Sequence, residues 1–287
     1  MSRVALVTAK IVDEDIDLQP LLDAVRAEGI DVKSRCWDDD AVDWAGLDLA
    51  VLRSTWDYVD RYDEFLEWID ATAKVVTLLN PLDVLRWNMD KHYLRSLTDD
   101  HGIAVIPTQF FEPGTSASEL EPMDGDIVVK PVRGASSVDA LRHASIDDAR
   151  RHLATLLDQG RAVMVQSYVS AIETYGETGM VYFAGELSHA FGKGPILTKA
   201  GASPVDGLYA PEAISPREPT FEQRDLADRV VHACAKDLLY ARIDLVPSDD
   251  GQPVVSEVEL TEPSFFVDHA PGAAARFAKA VAAKMST

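Results

Sequence analysis

Arg242-Ile243-Asp244-Leu245-Val246 is followed, across Pro247-Ser248-Asp249-Asp250-Gly251, by the run Glu257-Val258-Glu259-Leu260. Two apolar-rich runs joined by turn-forming residues predict a β-hairpin. Side chains at i and i+2 share one face of a strand, so Glu257 and Glu259 point the same way, roughly 7 Å apart along the rise. Asp244 on the partner strand can face them. Three carboxylates among Ile243, Leu245, Val254, Val255, Val258 and Leu260 repel and lose hydration unless a cation neutralises them. Oxygen donors with no His or Cys nearby suit Mg²⁺ rather than zinc. A hairpin with one solvated acidic face fits the same local pattern, so the decision falls to the rest of the chain.

Composition narrows the field. At 287 residues the chain is longer than one minimal core needs, and two or three packed units are expected. An apolar fraction of 47% with clear periodicity predicts a globular chain without a long disordered tail. A formal charge of −21 argues against nucleic acid or anionic membranes as partners. Any phosphate site must therefore be built from a few deliberately positioned Lys and Arg. Cys36 and Cys234 have no metal-type spacing, which suits a reducing cytoplasm. The first residues run straight into a strand too short for a signal's apolar region, and no run reaches membrane-spanning length. A cytoplasmic protein is the expectation. The seven histidines show no ligand spacing.

Strands at 4–8, 31–37, 47–54 and 75–79 alternate with helices at 16–28 and around Phe65, Trp68 and Ile69. That alternation predicts parallel βαβ units in an open α/β domain over 1–87, with ligands beyond the carboxyl ends of its strands. A second unit, 88–169, opens with a helix carrying Lys91, Tyr93, Leu94 and Leu97. It continues through a strand at 127–131, a small-residue loop at 133–137, a helix at 147–157 and a strand at 163–169. The third, 170–287, holds strands around 180–183 and 187–191, a helix at 221–239, the acidic hairpin and a closing helix at 273–284.

Several positions are candidates for chemistry. Lys130 ends an apolar strand before Pro131 and a loop containing Ser136 and Ser137, an arrangement that suits phosphates although no P-loop or dinucleotide fingerprint is present. A lysine snorkelling beside an ordinary turn is the plain alternative. Gln166-Ser167-Tyr168-Val169 reads as an edge-like segment able to pair with an adenine edge, or as a strand leaving the core. Glu173 and Glu177 flank Gly176, to bond a ribose hydroxyl, to position a lysine or as surface acids; Lys193 sits between two glycines that permit a tight turn near a ligand or a mobile surface turn. Arg242 shares a strand face with Asp244, as a salt-bridge partner or to neutralise charge on a transferred phosphoryl group. Arg53-Ser54-Thr55-Trp56-Asp57-Tyr58 offers an Arg, two hydroxyls and two aromatics at a strand end, or caps the core with Arg53 paired to Asp57.

The order of these pieces resembles the ATP-grasp superfamily in its glutathione-synthetase-like branch, over essentially the whole chain. The resemblance implies an α/β (α+β) fold, with an N-terminal open parallel domain followed by two ATP-clamping subdomains. It implies that Lys91 and Lys130, with the loop at Ser136 and Ser137, hold ATP phosphates. Gln166, Tyr168 and Val169 would bind adenine, and Glu173 and Glu177 the ribose side. Asp244, Glu257 and Glu259 would bind two Mg²⁺ ions, and Arg242 and Lys193 would serve catalysis. Many relatives carry Glu-x-Asn where this chain has Glu257-x-Glu259, which puts the metal count in question.

Arg-Ser-Thr-Trp-Asp-Tyr at 53–58, Leu-Asn-Pro at 79–81, Arg-Trp-Asn-Met-Asp-Lys at 86–91 and Glu-Leu-Thr-Glu-Pro-Ser at 259–264 are similar to one subgroup, which includes the cyclo-ligase of D-cycloserine biosynthesis. That resemblance implies ATP-dependent activation of a carboxylate, then ring closure by a nitrogen of the same small amino-acid-like substrate. Arg53, Ser54, Thr55 and Ser264 would recognise that substrate, and a glycine-bearing lid around 192–201 would close over it. An intermolecular carboxylate–amine ligase and a non-catalytic nucleotide-binding protein are the rival readings, and a homo-oligomer is compatible with all three.

Overall fold

Val4 to Val7 and Leu49 to Leu52 are aliphatic without alternation, the pattern of strands covered on both faces. The computed structural model describes residues 3–10, 15–134, 138–195, 213–234 and 237–285. Its first unit runs β1 (Arg3–Thr8), α1 (Leu18–Ala27), β2 (Asp31–Cys36), β3 (Leu49–Ser54), α2 (Tyr62–Thr72) and β4 (Thr77–Leu79). These strands form an all-parallel sheet in the order β2-β1-β3-β4. Helix α1 turns Leu21, Leu22 and Val25 to the core, and α2 turns Phe65 and Ile69.

Two helices follow, α3 (Leu82–Asn88) and α4 (Tyr93–His101). Lys91 lies in the turn between them rather than on a helix, which corrects the sequence expectation. Next come β5 (Thr108–Phe111), β6 (Ile127–Pro131), β7 (Leu141–His143), α5 (Ile146–Asp158) and β8 (Val163–Ser167). The antiparallel sheet has the order β5-β8-β6-β7, so β8 is interior and not the expected edge. Gln166 belongs to that interior strand, while Tyr168 and Val169 leave it. Leu153, Leu156 and Leu157 of α5 cover one face.

The third unit contains α6 (Ile172–Tyr175), β9 (Glu177–Phe183), β10 (Glu186–Lys193), β11 (Ile214–Pro216), α7 (Phe221–Cys234), β12 (Tyr240–Pro247), β13 (Pro253–Glu259) and α8 (Ala273–Met285). Its antiparallel sheet has the order β11-β10-β9-β12-β13. The helix expected over 221–239 is shorter: Leu238 and Leu239 are buried and non-helical, drawn in ahead of β12. The predicted hairpin is β12 and β13, with Asp244 opposite Glu257 and Arg242 opposite Glu259. A register shift between Asp244 and Leu245 interrupts the pairing just beyond the acids, and it resumes with Leu245 opposite Val255.

Buried polar side chains from α1 to α3 tie the start of the chain to this hairpin and the loop after it. Asn80 donates from Nδ2 to the carbonyls of Tyr240 (3.0 Å) and Leu260 (2.7 Å) and accepts the Leu239 N–H at 2.8 Å. Asn88 donates to the Val258 carbonyl at 2.7 Å and accepts the Leu260 N–H at 2.7 Å. Asp17 accepts three successive N–H groups, from Phe265, Phe266 and Val267, at 2.6 to 3.0 Å. Each satisfies backbone groups that would otherwise be buried unpaired. Helix α8 packs on α1 and on β9 and β10, closing the shared core.

Candidate active site

A cleft of about 1010 Å³ opens between the second and third sheets and runs to the loop after β3. Its walls contain Lys91, Lys130, Gln166, Tyr168, Val169, Glu177, Lys193, Arg242, Glu257, Glu259 and Ser264 from the sequence-predicted set. Ser136 and Ser137 lie outside the described residues, as does the expected lid from 196 to 201.

The hairpin register builds the charged centre. Arg242 grips Asp244 with a two-pronged fork, Nε to Oδ1 at 3.0 Å and Nη2 to Oδ2 at 2.9 Å. Its Nη2 also reaches Glu259, and its Nη1 donates to the Ser264 carbonyl at 3.1 Å. Lys193 Nζ stands 4.0 Å from Asp244. Lys91 Nζ pairs with Glu257 at 3.0 Å and donates to the Gly134 carbonyl at 2.8 Å. The turn carrying Lys91 is held in part because Tyr93, just beyond it, accepts the Val258 N–H through its hydroxyl. Lys130, at the end of β6, has no hydrogen bond or ion pair among the described residues, and burial lowers its pKa.

Charge and burial compete at each acid. Burial pushes Glu257 up, but Lys91, Lys130 and Lys193 together overcome it and hold the group below its ordinary range. Burial raises Glu259 above its ordinary value; Arg242 opposes the shift and the neighbouring Glu257 and Asp244 add to it. Glu177 is also raised, first by burial. Glu257 and Glu259 nevertheless keep 30% and 27% of their side-chain surface exposed, so both carboxylates face the cleft.

These two acids supply the hard oxygen donors a divalent cation needs, and a cation would relieve the repulsion that raises Glu259. Asp244 differs. It is fully buried with both oxygens on Arg242, and it is not part of the cleft wall. Among the described residues no three acidic, His or Cys side chains are gathered in metal-ligating geometry.

Arg53, Ser54 and Thr55 are fully buried and absent from the cleft wall, contrary to the contact with substrate expected of them. Arg53 donates to the Pro263 carbonyl at 2.9 Å, stands 3.8 Å from Asp17 and lies 3.9 Å over the Phe265 ring. Its partner is thus Asp17 and the loop after the hairpin, not Asp57, which instead receives the Trp37 indole N–H. Glu173 is not part of the cleft wall and pairs with Arg142 at 2.7 Å. Gln166 is buried and donates to the Thr108 hydroxyl at 2.8 Å, and the Tyr168 N–H is taken by the Asp126 carbonyl.

Among the cleft residues outside the sequence-predicted set are Trp56, Tyr58 and Glu262. Burial raises Glu262 to about 7, against the pull of Lys91 and of its hydrogen bond with Tyr58. The available signal was its position three residues beyond Glu259, next to Pro263.

The sequence and the fold are similar to those of known proteins. A family model described as the N-terminal domain of D-cycloserine synthetase DcsG matches residues 4–80. The cycloserine biosynthesis protein DcsG of Streptomyces lavendulae is 36% identical over 301 residues, spanning 99% of both chains. The crystal structure of D-cycloserine synthetase DcsG superposes with a TM-score of 0.91 at 35% identity, covering 99% of this chain and 100% of that one. The ATP-grasp ligase PsnB, solved with a phosphomimetic variant of its minimal precursor, Mg and ADP, shares the fold at 15% identity, with a TM-score of 0.65 over 100% of this chain and 99% of its own. The chain belongs to the D-cycloserine synthetase family, ATP-dependent ligases built on the ATP-grasp fold.

Proposed function

We propose that this protein closes O-ureido-D-serine into D-cycloserine at the expense of ATP. The observation that carries the reading is one cleft holding Lys91, Lys130, Lys193 and Arg242 opposite the acidic pair Glu257 and Glu259, in a chain of this family. The substrate carboxylate takes the γ-phosphoryl group, giving an acylphosphate and ADP. The ureido nitrogen attached to oxygen attacks the acyl carbon, and phosphate leaves as the ring closes. Water then removes the carbamoyl group as CO₂ and ammonia.

Glu257 and Glu259 are the residues that would hold Mg²⁺, and Asp244 would join them only on release from Arg242. The ion would neutralise charge on the nucleotide phosphates. Lys130, half-buried in the cleft wall and without an ion pair among the described residues, would bind a phosphate oxygen. Lys91 would exchange Glu257 for phosphate as the acid turns to metal. Arg242 and Lys193, on adjoining walls, would stabilise charge on the acyl oxygen and the departing phosphate. Val128, Tyr168, Val169 and Ile172 line the end of the cleft suited to an adenine ring.

The test is turnover of O-ureido-D-serine as sole amino-acid substrate with Mg-ATP. D-cycloserine and phosphate should appear in equal amounts. Phosphate release only when a second amino acid is added would replace this reading with an intermolecular ligase.

A further inference from the structure

Glu262 is a cleft carboxyl with no ion pair among the described residues, although Lys91 and Arg242 act on it from further off. Among the described residues Lys91 is paired with Glu257, Arg242 with Asp244 and Glu259, and Lys193 approaches Asp244, while Glu262 has no ion pair. Its company is instead Tyr58, whose hydroxyl hydrogen-bonds it, and Trp56, whose indole N–H donates to its carbonyl at 3.1 Å. The loop that carries it is pinned on every side. Arg53 holds the Pro263 carbonyl, Arg242 the Ser264 carbonyl, and Asp17 the three N–H groups from Phe265 to Val267. A side chain so supported is held in position before ligand arrives.

Lys91, Glu257 and Arg242 are its charged neighbours, so Glu262 stands beside the groups assigned to phosphoryl transfer. In an α-amino acid the ammonium is attached to the carbon that bears the carboxylate. A group that recognises it must therefore lie close to where that carboxylate reacts. We propose that Glu262, aided by Tyr58, binds the α-ammonium of the substrate and selects α-amino acids over their des-amino counterparts. The assignment rests on the proposed function, and it gives Arg53 and Asp17 a positioning role behind the loop. Substrate supplies a close cation that the described residues do not.

The experiment compares O-ureido-D-serine with 3-(ureidooxy)propanoate, which lacks only the amino group, in the wild type and in Glu262→Gln. Loss of a charge-assisted hydrogen bond should lower kcat/KM for the amino substrate roughly 10- to 100-fold, mainly through KM. The preference for the amino compound over the des-amino one should fall by the same factor in the variant, and a thermal midpoint matching that of the wild type shows that the variant is folded. Glu262→Asp should recover part of the preference. An equal loss on both compounds would overturn the role of Glu262 and leave the cyclo-ligase reading standing. A wild type silent with both would overturn that reading and the ammonium assignment together.

Discussion

Lys130 is a half-buried charge whose side chain has no ion pair among the described residues. Burial lowers its pKa, and among the described residues no acid lies within ion-pairing distance, although Glu257 acts on it from further off. A cation in that position destabilises the ligand-free protein and is retained for what it binds. Lys130→Met should therefore raise the midpoint of thermal unfolding in the absence of nucleotide, while raising KM for ATP at least about tenfold, the order expected for one charged contact. Calorimetry and ATP titration check the two halves. A variant that is less stable and binds ATP as before would mean that Lys130 is structural. The same reasoning separates the four lysine and arginine groups of the cleft: Lys91 and Arg242 already have partners, so their removal strands an acid as well.

At the scale of elements, the junction of α6, β9 and β10 positions Glu177 and Lys193 opposite each other. Gly176 makes that possible. Its φ is +73°, and a Cβ there would stand 2.5 Å from the Lys193 carbonyl oxygen. Gly176→Ala must move one strand or the other, and should cost about 1–3 kcal/mol of stability together with a fall in kcat. Denaturant unfolding and steady-state rates read both, and a variant of wild-type stability would contradict the steric argument. Much at this scale was legible beforehand. The alternating apolar runs gave the parallel sheet, and period two in 257–259 gave the acidic face of β13. The interior position of β8 was not legible, because a short apolar run reads the same with one neighbour or two. Arg53 was misread for a related reason. Its strand end marked a place where ligands bind, but only the packing of Phe265 and Asp17 around it shows that the guanidinium faces protein.

Across the whole molecule, the motifs that gave the resemblance divide into two kinds. Lys91, Glu257, Glu259 and Ser264 line the cleft, whereas Arg53 and Asn80 are clamps from the first unit to the hairpin and the loop after it, and Asn88 does both. The chain order of motifs carried the fold and the reaction class. The division of labour among them depends on contacts between residues more than 150 positions apart, as in the bond from Asn80 to the Tyr240 carbonyl. The clamps hold the acidic pair and the substrate loop in one frame, so the central claim concerns a single event there: transfer of the γ-phosphoryl group to the substrate carboxylate. Its most direct test uses O-ureido-D-serine labelled with ¹⁸O at both carboxylate oxygens. Acylphosphate formation and ring closure predict one ¹⁸O in the inorganic phosphate and one in the ring carbonyl. Unlabelled phosphate would show that ATP is cleaved by water, and would contradict the account.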